Sequence, residues 1–271
     1  MKLNCDIRGS GFPILCLHGH PGSGRSMGVF VEALSSQYLT LAPDLRGYGK
    51  SPTPKDFRLE QHLDDLIELL DAQGISSGII LGWSLGGILA MELALRQPDR
   101  VAGLILIATA ARPVGNHPPT NWLDLANTGI ASLLNLTLPG SPWIINTFGK
   151  NSLYRYLLRR HTQHAYYRLA REGFGAYLKT SAQANRALNR ALAQRYNRLD
   201  ALAHLQCPAL VLCGEKDCHI TAAASLETAR YLPWGEGRCY PDTAHLLPWE
   251  IPELILEDIK AWLNDHAPSF D

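Results

Sequence analysis

The sequence predicts an α/β fold with a mostly parallel sheet of about seven strands, flanked by helices and interrupted by one inserted helical segment. Three observations lead to this prediction. In the first half of the chain, short β-rich segments alternate with longer segments of helical periodicity. The predicted strands are continuously apolar, which is typical of parallel strands covered by helices on both faces. Between Arg112 and Leu205 the alternation stops, and a strand pattern returns from Cys207.

The predicted strands are short apolar runs bounded by glycine, proline or polar residues. The first two, residues 2–7 and 13–17, are joined at Gly9-Ser10-Gly11, and this arrangement predicts a hairpin. Further strands are predicted at residues 37–42, 77–82, 103–109, within 207–217, and near 237–241. Helices are predicted at residues 59–74, 85–97, 221–231 and 252–264. In the first of these helices, leucine and isoleucine recur at helical spacing with acidic residues between them.

Residues 112–205 interrupt this pattern. Prolines punctuate the first part, and an arginine- and alanine-rich helical part follows from about Ser152 to Leu202. We therefore expect residues 1–111 and 206–271 to form the core domain and residues 112–205 to form a helical cap, or lid. In open α/β folds ligands bind at the carboxyl edge of the sheet, so the cap is predicted to lie over that edge.

Composition limits the function classes. The chain has 271 residues, 46% of them hydrophobic, and a formal net charge of zero. The molecule as a whole therefore has no bulk attraction to nucleic acid or to a membrane. The longest apolar stretch contains glycines, Ser84 and Glu92, which argue against a membrane span.

The amino-terminal residues lack the apolar core of a signal peptide. Six cysteines occur without a C-x-x-C pair, and no histidine cluster accompanies them at zinc-ligand spacing. Free thiols indicate a reducing compartment, so the predicted location is the cytoplasm and no metal site is expected.

One hydroxyl interrupts the apolar run, at Ser84 in the sequence G-W-S-L-G, which fits G-x-S-x-G. A serine at a sharp turn between a strand and a helix has its hydroxyl exposed, and its neighbours two residues away must be small. Gly82 and Gly86 meet this need, with a predicted strand before them and a predicted helix after them. A chance match in an apolar helix is the alternative. The motif alone therefore leaves the role of Ser84 open.

A serine nucleophile needs a base and an acid that orients the base. In chain order the acid and the histidine follow such a serine, each after a later strand. Asp217 and His245 occupy these places, and both are predicted in loops at the edge of the sheet that carries Ser84. Glu215 and Asp242 are rival acids, since each lies close in sequence to one of these two residues.

Charge stabilisation is predicted at residues 15–24, a glycine-rich loop between a strand and a helix. Its glycines let backbone N–H groups face a cavity, as an oxyanion hole requires. The N–H groups of His20 and Leu85 are the predicted pair. A phosphate-binding loop is the alternative, but the spacing matches neither the dinucleotide nor the P-loop pattern. The imidazoles of His18 and His20 are interpreted as structural or pocket-lining.

Taken together, these segments resemble the α/β-hydrolase superfamily. The resemblance covers residues 1–111 and 206–265, and five motifs occur in the family's order. They are LHGHPGSG (17–24), PDLRGYGKS (43–51), GWSLGG (82–87), LCGEKD (212–217) and DTAHLLPWEIPE (242–253). The resemblance implies Ser84 as nucleophile, Asp217 as acid, His245 as base, and the N–H groups of His20 and Leu85 as oxyanion hole. The family's first strand is missing here, which again predicts seven strands.

The resemblance also implies an activity. Epoxide hydrolases and haloalkane dehalogenases of this family use an aspartate nucleophile, whereas this chain has Ser84. A serine-dependent hydrolase of carboxylic esters, acting through an acyl-enzyme without a cofactor, is therefore expected. A carrier-protein methyl ester esterase and a carbon–carbon bond hydrolase are alternatives. A non-catalytic protein that binds a small ligand on the same fold is the alternative from another class.

Partners are expected to be small ester or acyl molecules. Trp83 and Leu246 are predicted to contact the substrate, with Trp122, Trp143 and Phe148 as further candidates from the cap. Residues 112–205 contain twelve Lys or Arg and three Asp or Glu, a formal charge of +9. A basic cap that docks on an acidic core explains this charge, and an acidic acyl-carrier protein is the alternative partner. No nucleic-acid-binding motif is present.

Overall fold

The computed structural model describes residues 1–267. The predicted boundary of the core domain extends to residue 271, and residues 268–271 lie outside the described range. Within that range the strands are β1 Cys5–Arg8, β2 Pro13–Leu17, β3 Leu39–Pro43, β4 Gly78–Trp83, β5 Val101–Ile107, β6 Ala209–Gly214 and β7 Gly235–Tyr240. They form one sheet in the order β1-β3-β2-β4-β5-β6-β7. All neighbours are parallel except β1 and β3, so the predicted seven-stranded, mostly parallel sheet is confirmed.

Helices cover both faces of the sheet. The helices of the regular α/β part are α1 Gly28–Leu34, α2 Gln61–Ala72, α3 Leu85–Arg96, α11 Ala222–Tyr231, α12 Leu247–Glu250 and α13 Pro252–His266. Those between β5 and β6 are α4 Trp122–Thr137, α5 Pro142–Thr147, α6 Tyr154–Leu157, α7 Gln163–Arg168, α8 Phe174–Leu178, α9 Ala182–Ala193 and α10 Leu199–Leu202. One large apolar cluster lies on each face of the sheet. No helix in residues 1–267 is long and apolar enough to cross a membrane.

The predicted hairpin between the first two strands is wrong. Strand β3 lies between them, antiparallel to β1 and parallel to β2. The reason is burial. Four of the five residues of β2 are buried, whereas three of the four residues of β1 are exposed. A strand buried on both faces takes a central position in the sheet, and a polar strand is stable at the edge.

Residues 112–205, called here the inserted segment, contain more helix than the sequence indicates. Helix is predicted only from about Ser152, yet α4 occupies 16 residues before that point. Asn121 and Asp124 form a capping box at its start. The helix was missed because its sequence contains weak helix formers such as Asn127, Thr128 and Gly129, and because prolines lie on both sides of it.

The inserted segment packs over the loops that follow the carboxyl ends of the strands. The Ser181 N–H donates to the Gly47 carbonyl at 3.0 Å, in the loop after β3. After β7, the Leu246 N–H donates to the Leu157 carbonyl at 2.9 Å. The carboxylate of Glu250, at the end of α12, accepts the backbone N–H groups of Arg159 and Arg160 at 2.9 and 2.6 Å. The segment thus lies over the edge where the predicted catalytic residues are found.

Candidate active site

Ser84 lies at the turn between β4 and α3, where it caps the helix with φ 54° and ψ −115°. This conformation is strained for any residue other than glycine. The turn is possible because the neighbouring glycines approach other backbone atoms closely. A Cβ on Gly82 would lie 2.3 Å from the Gly86 carbonyl oxygen, and one on Gly86 would lie 2.0 Å from that of Leu17. The glycines of the G-x-S-x-G motif are thus sterically required here.

Three side chains from separate loops meet at this turn. Asp217 follows β6 and His245 follows β7. The His245 Nε2 atom lies 3.1 Å from the Ser84 Oγ, and its Nδ1 atom lies 2.7 Å from the Asp217 Oδ2. Because a carboxylate only accepts, Nδ1 carries the proton and Nε2 is left to accept from the serine hydroxyl. The structure therefore brings the three predicted residues into one chain of hydrogen bonds.

Asp217 is buried, and its second oxygen is also held. Its Oδ1 accepts the backbone N–H groups of His219 at 2.8 Å and Ile220 at 3.1 Å. The carboxylate therefore has a fixed orientation toward His245. The rival acids are directed elsewhere. Asp242 pairs with Arg159, and Glu215 pairs with its neighbour Lys216 and accepts the Asp242 N–H.

The two predicted oxyanion amides flank Ser84. Leu85 begins α3 directly after the serine. A Cβ on Gly19, the residue before His20, would lie 3.2 Å from the Ser84 Cβ, so this loop passes beside the nucleophile. Within residues 1–267, neither the His20 N–H nor the Leu85 N–H donates to a protein acceptor. Two unpaired amides beside a serine hydroxyl are the donors that an oxyanion requires.

The two histidines of the glycine-rich loop have structural contacts. His18 is fully buried, with Nδ1 2.7 Å from the Gly19 carbonyl oxygen and Nε2 accepting the Leu45 N–H at 3.1 Å. Burial lowers the pKa of His18 to about 4. The His20 ring lies 2.8 Å from the Tyr48 hydroxyl, and burial also lowers its pKa. Neither imidazole contacts the Ser84–His245 pair by a hydrogen bond.

The predicted substrate-contacting residues have different surroundings. Trp83 is 4% exposed and packs edge-on against Trp249 with ring centroids 5.2 Å apart. Its indole N–H donates to the His245 carbonyl at 3.2 Å, which positions the histidine loop. Leu246 is partly buried against the core. Trp122 and Trp143 are 73% and 60% exposed. The substrate contacts of Trp83 and Leu246 stay predictions.

The sequence did not indicate that the His219 ring lies beside the hydrogen-bonded chain of Ser84, His245 and Asp217, called here the triad. The His219 ring lies 5.2 Å from the His245 ring. His117, from the inserted segment, packs against His219 with centroids 4.7 Å apart. No spacing in the sequence links His117 to His219, because the two residues lie on segments that only the fold brings together.

Comparison with known proteins agrees with this architecture. A family model described as the alpha/beta hydrolase fold matches residues 13–137. A 2-hydroxymuconate semialdehyde hydrolase of Pseudomonas putida is 35% identical over 141 residues, which cover 50% of this chain and 48% of the relative. A pimeloyl-[acyl-carrier protein] methyl ester esterase of Aliivibrio salmonicida is 39% identical over 113 residues, 41% of each protein. The chain thus spans less than half of the length of either relative.

Solved structures match over nearly the whole chain. A thermophilic esterase from Thermogutta terrifontis superposes with a TM-score of 0.72 and 27% identity, covering 98% of this chain and 94% of the esterase. The esterase RhEst1 from Rhodococcus sp. ECU1013 superposes with a TM-score of 0.73, covering 97% and 94%; at 20% identity this likeness concerns the fold alone. The fold of the chain is therefore that of the α/β hydrolases.

Proposed function

We propose that the protein is a serine-dependent hydrolase of carboxylic esters that acts through an acyl-enzyme. The observation that carries the proposal is the chain of hydrogen bonds from Ser84 Oγ to His245 Nε2, at 3.1 Å, and from His245 Nδ1 to Asp217 Oδ2, at 2.7 Å. A serine hydroxyl is a weak nucleophile unless a base removes its proton, and this arrangement provides the base and fixes its tautomer.

In the proposed reaction His245 Nε2 accepts the proton of Ser84 as Oγ attacks the ester carbonyl. The N–H groups of His20 and Leu85 donate to the oxyanion, and each such donor typically lowers the barrier by about 2.7–4 kcal/mol. The imidazolium then protonates the departing alcohol. Water, activated by the same histidine, attacks the acyl-enzyme and releases the acid. Proton transfer by a positioned base contributes roughly 10²–10⁴-fold.

We propose that the inserted segment is the cap domain of this site. Its support is the position of the segment over the carboxyl edge and the role of Glu250. One oxygen of this carboxylate holds the N–H groups of Arg159 and Arg160, and the other accepts the Ala244 N–H at 2.8 Å. Ala244 precedes His245, so one buried side chain connects the segment to the loop that carries the base.

Part of the positive charge of the inserted segment is balanced by ion pairs within the molecule. Five of its arginines pair with acidic residues outside it: Arg112 with Glu227, Arg159 with Asp242, Arg168 with Glu32, Arg190 with Asp56 and Arg198 with Glu92. These pairs support a basic cap that docks on an acidic core. All six cysteines are free, which supports the proposed reducing, cytoplasmic location.

A carrier-protein methyl ester is the second candidate substrate. The basic residues outside those ion pairs favour it, as does the A. salmonicida relative, which is a methyl ester esterase of a carrier protein. The test compares a carrier-linked methyl ester with the free methyl ester at increasing ionic strength. Faster hydrolysis of the linked ester that falls with salt supports this substrate. Equal rates at all salt concentrations reject it.

A fluorophosphonate probe tests the enzyme class. We expect covalent labelling of Ser84 that Ser84→Ala abolishes and His245→Ala strongly slows. His204→Ala is the matched control, because this histidine is exposed in the inserted segment, and it should label like the unchanged protein. Turnover of methyl, p-nitrophenyl and thioester substrates then defines the acyl and leaving groups. A folded protein that is not labelled by the probe and hydrolyses none of the esters would indicate the non-catalytic, ligand-binding alternative.

A further inference from the structure

A second cluster of reactive side chains lies beside the triad. The ligand atoms of His117, Cys218 and His219 all lie within 4.8 Å of one another. His117 belongs to the inserted segment, and the other two follow Asp217 in the loop after β6. The mechanism proposed above uses none of the three. Two imidazoles and a thiol form the donor set that binds zinc and other borderline or soft metals.

The two backbone segments that carry the cluster are already joined. The Asn116 N–H donates to the Cys218 carbonyl and the Thr221 N–H donates to the Val114 carbonyl, both at 2.9 Å. Gly115 permits this close approach, since a Cβ there would lie 2.7 Å from the His219 carbonyl oxygen. A metal would therefore not have to bring distant loops together, so little conformational entropy is lost on binding.

We propose that His117, Cys218 and His219 form a binding site for one Zn²⁺ ion. The Nδ1 atom of His117 lies 2.9 Å from the Pro118 carbonyl oxygen, so its N–H donates there and Nε2 keeps a free lone pair. Zinc bonds of about 2.0–2.1 Å to nitrogen and about 2.3 Å to sulfur place tetrahedral ligands roughly 3.5 Å apart. Rotation of the exposed His117 and His219 side chains supplies this contraction.

Binding has a defined proton balance. The Cys218 thiol lies 3.3 Å from the Tyr156 carbonyl oxygen and donates to it. Zinc replaces the thiol proton, which is released to solvent, and the sulfur becomes a thiolate ligand. Three protein ligands leave one tetrahedral position for water. The sulfur must turn away from the carbonyl, and this lost contact makes the site weaker than a dedicated structural zinc site.

Zinc at this position would fasten the inserted segment to the loop that carries Asp217. The ion would lie close to the base, because the His219 ring is 5.2 Å from that of His245. We expect two effects: the folded state gains stability, and turnover slows because the segment over the site is held more tightly. The second effect depends on the proposed esterase function, whereas zinc binding itself does not.

Zinc binding is measured on the full chain by calorimetric titration, with Co²⁺ as a spectroscopic substitute. We expect one Zn²⁺ per chain, a rise in the unfolding temperature with zinc concentration, and a sulfur-to-cobalt charge-transfer absorption. Cys218→Ser should remove that absorption, and Cys218→Ser and His117→Ala should each weaken zinc binding by about tenfold or more. Cys239→Ser is the matched control, since this thiol is also free and lies outside the cluster.

Each outcome separates the zinc site from the proposed activity. Zinc binding with equal affinity in Cys218→Ser, His117→Ala and the unchanged chain would overturn the site, as would no binding at all. Zinc that binds and stabilises a chain that never labels with fluorophosphonate would leave the site standing and remove the esterase function. If both hold, ester turnover should fall with added zinc and recover with a chelator, and Cys218→Ser should reduce this fall.

Discussion

Replacing Asp217 by asparagine tests the geometry of the site through the orientation of a single amide. In Asp217→Asn one end of the side chain must face the backbone N–H groups of His219 and Ile220, and the other must face His245 Nδ1. Only the carbonyl oxygen can accept the two N–H groups. The amide NH₂ is therefore directed at His245, whose Nδ1 must then become an acceptor. The proton moves to Nε2, which can no longer accept the proton of Ser84.

The magnitude follows from the same contacts. Leaving a buried N–H unpaired costs about 1–3 kcal/mol, so the reversed amide, which leaves two unpaired, lies roughly 2–6 kcal/mol higher. The wrong tautomer therefore dominates, and general base catalysis, worth roughly 10²–10⁴-fold, is lost. We expect kcat/KM to fall by about 10³-fold, or about 4 kcal/mol of barrier. Stability should change little, since both backbone hydrogen bonds are kept.

The assay is hydrolysis of a p-nitrophenyl ester, with Ser84→Ala as the background and thermal unfolding as the check on folding. The rival acids provide matched controls. Asp242→Asn should keep activity within about twofold, because Asp242 has φ 51° and asparagine accepts this left-handed conformation. Glu215→Gln should do the same. Retention of more than about a tenth of the activity in Asp217→Asn, or a larger loss in either control, would refute the assignment of the acid.

Three further predictions concern stability. The unfolding temperature of Ser84→Gly should be about 2–4 °C above that of Ser84→Ala. Glycine relieves backbone strain of about 1–3 kcal/mol at φ 54°, and this gain exceeds the entropy cost of glycine, about 0.5–1 kcal/mol. A lower unfolding temperature for Ser84→Gly would contradict the strained turn. In Glu250→Gln only one oxygen can accept a hydrogen bond, whereas the carboxylate accepts N–H groups at both oxygens. The free energy of unfolding from urea titration should therefore fall by about 1–3 kcal/mol. An unchanged free energy of unfolding would contradict the anchoring role of Glu250. Burial depresses the pKa of His18 to about 4, so its contribution to the free energy of unfolding is present above pH 6.5 and lost as pH falls toward 4. His18 should account for about 2–3 kcal/mol of the fall in the free energy of unfolding between pH 7 and pH 4.5. His18→Asn should reduce that fall, and an unchanged fall would contradict the depressed pKa.

Local signals in the sequence determined the sheet and the serine turn at its carboxyl edge. Apolar runs located β2, β4, β5 and β6, because a strand that is buried on both faces needs apolar side chains at nearly every position. Gly82 and Gly86 identified the turn at Ser84, since the steric requirement acts within five residues. Chain order then gave Asp217 and His245, because successive parallel strands end at the same edge.

Tertiary structure decided what depends on contacts between distant segments. Strand β3 separates β1 from β2 because burial of the whole sheet, rather than the length of one loop, sets the strand order. The Trp83 indole turned out to hold the His245 carbonyl, which no spacing in the chain indicates. The approach of His117 to Cys218 and His219 has the same origin. Periodicity reports which face of an element is buried, and only packing determines which partner covers that face.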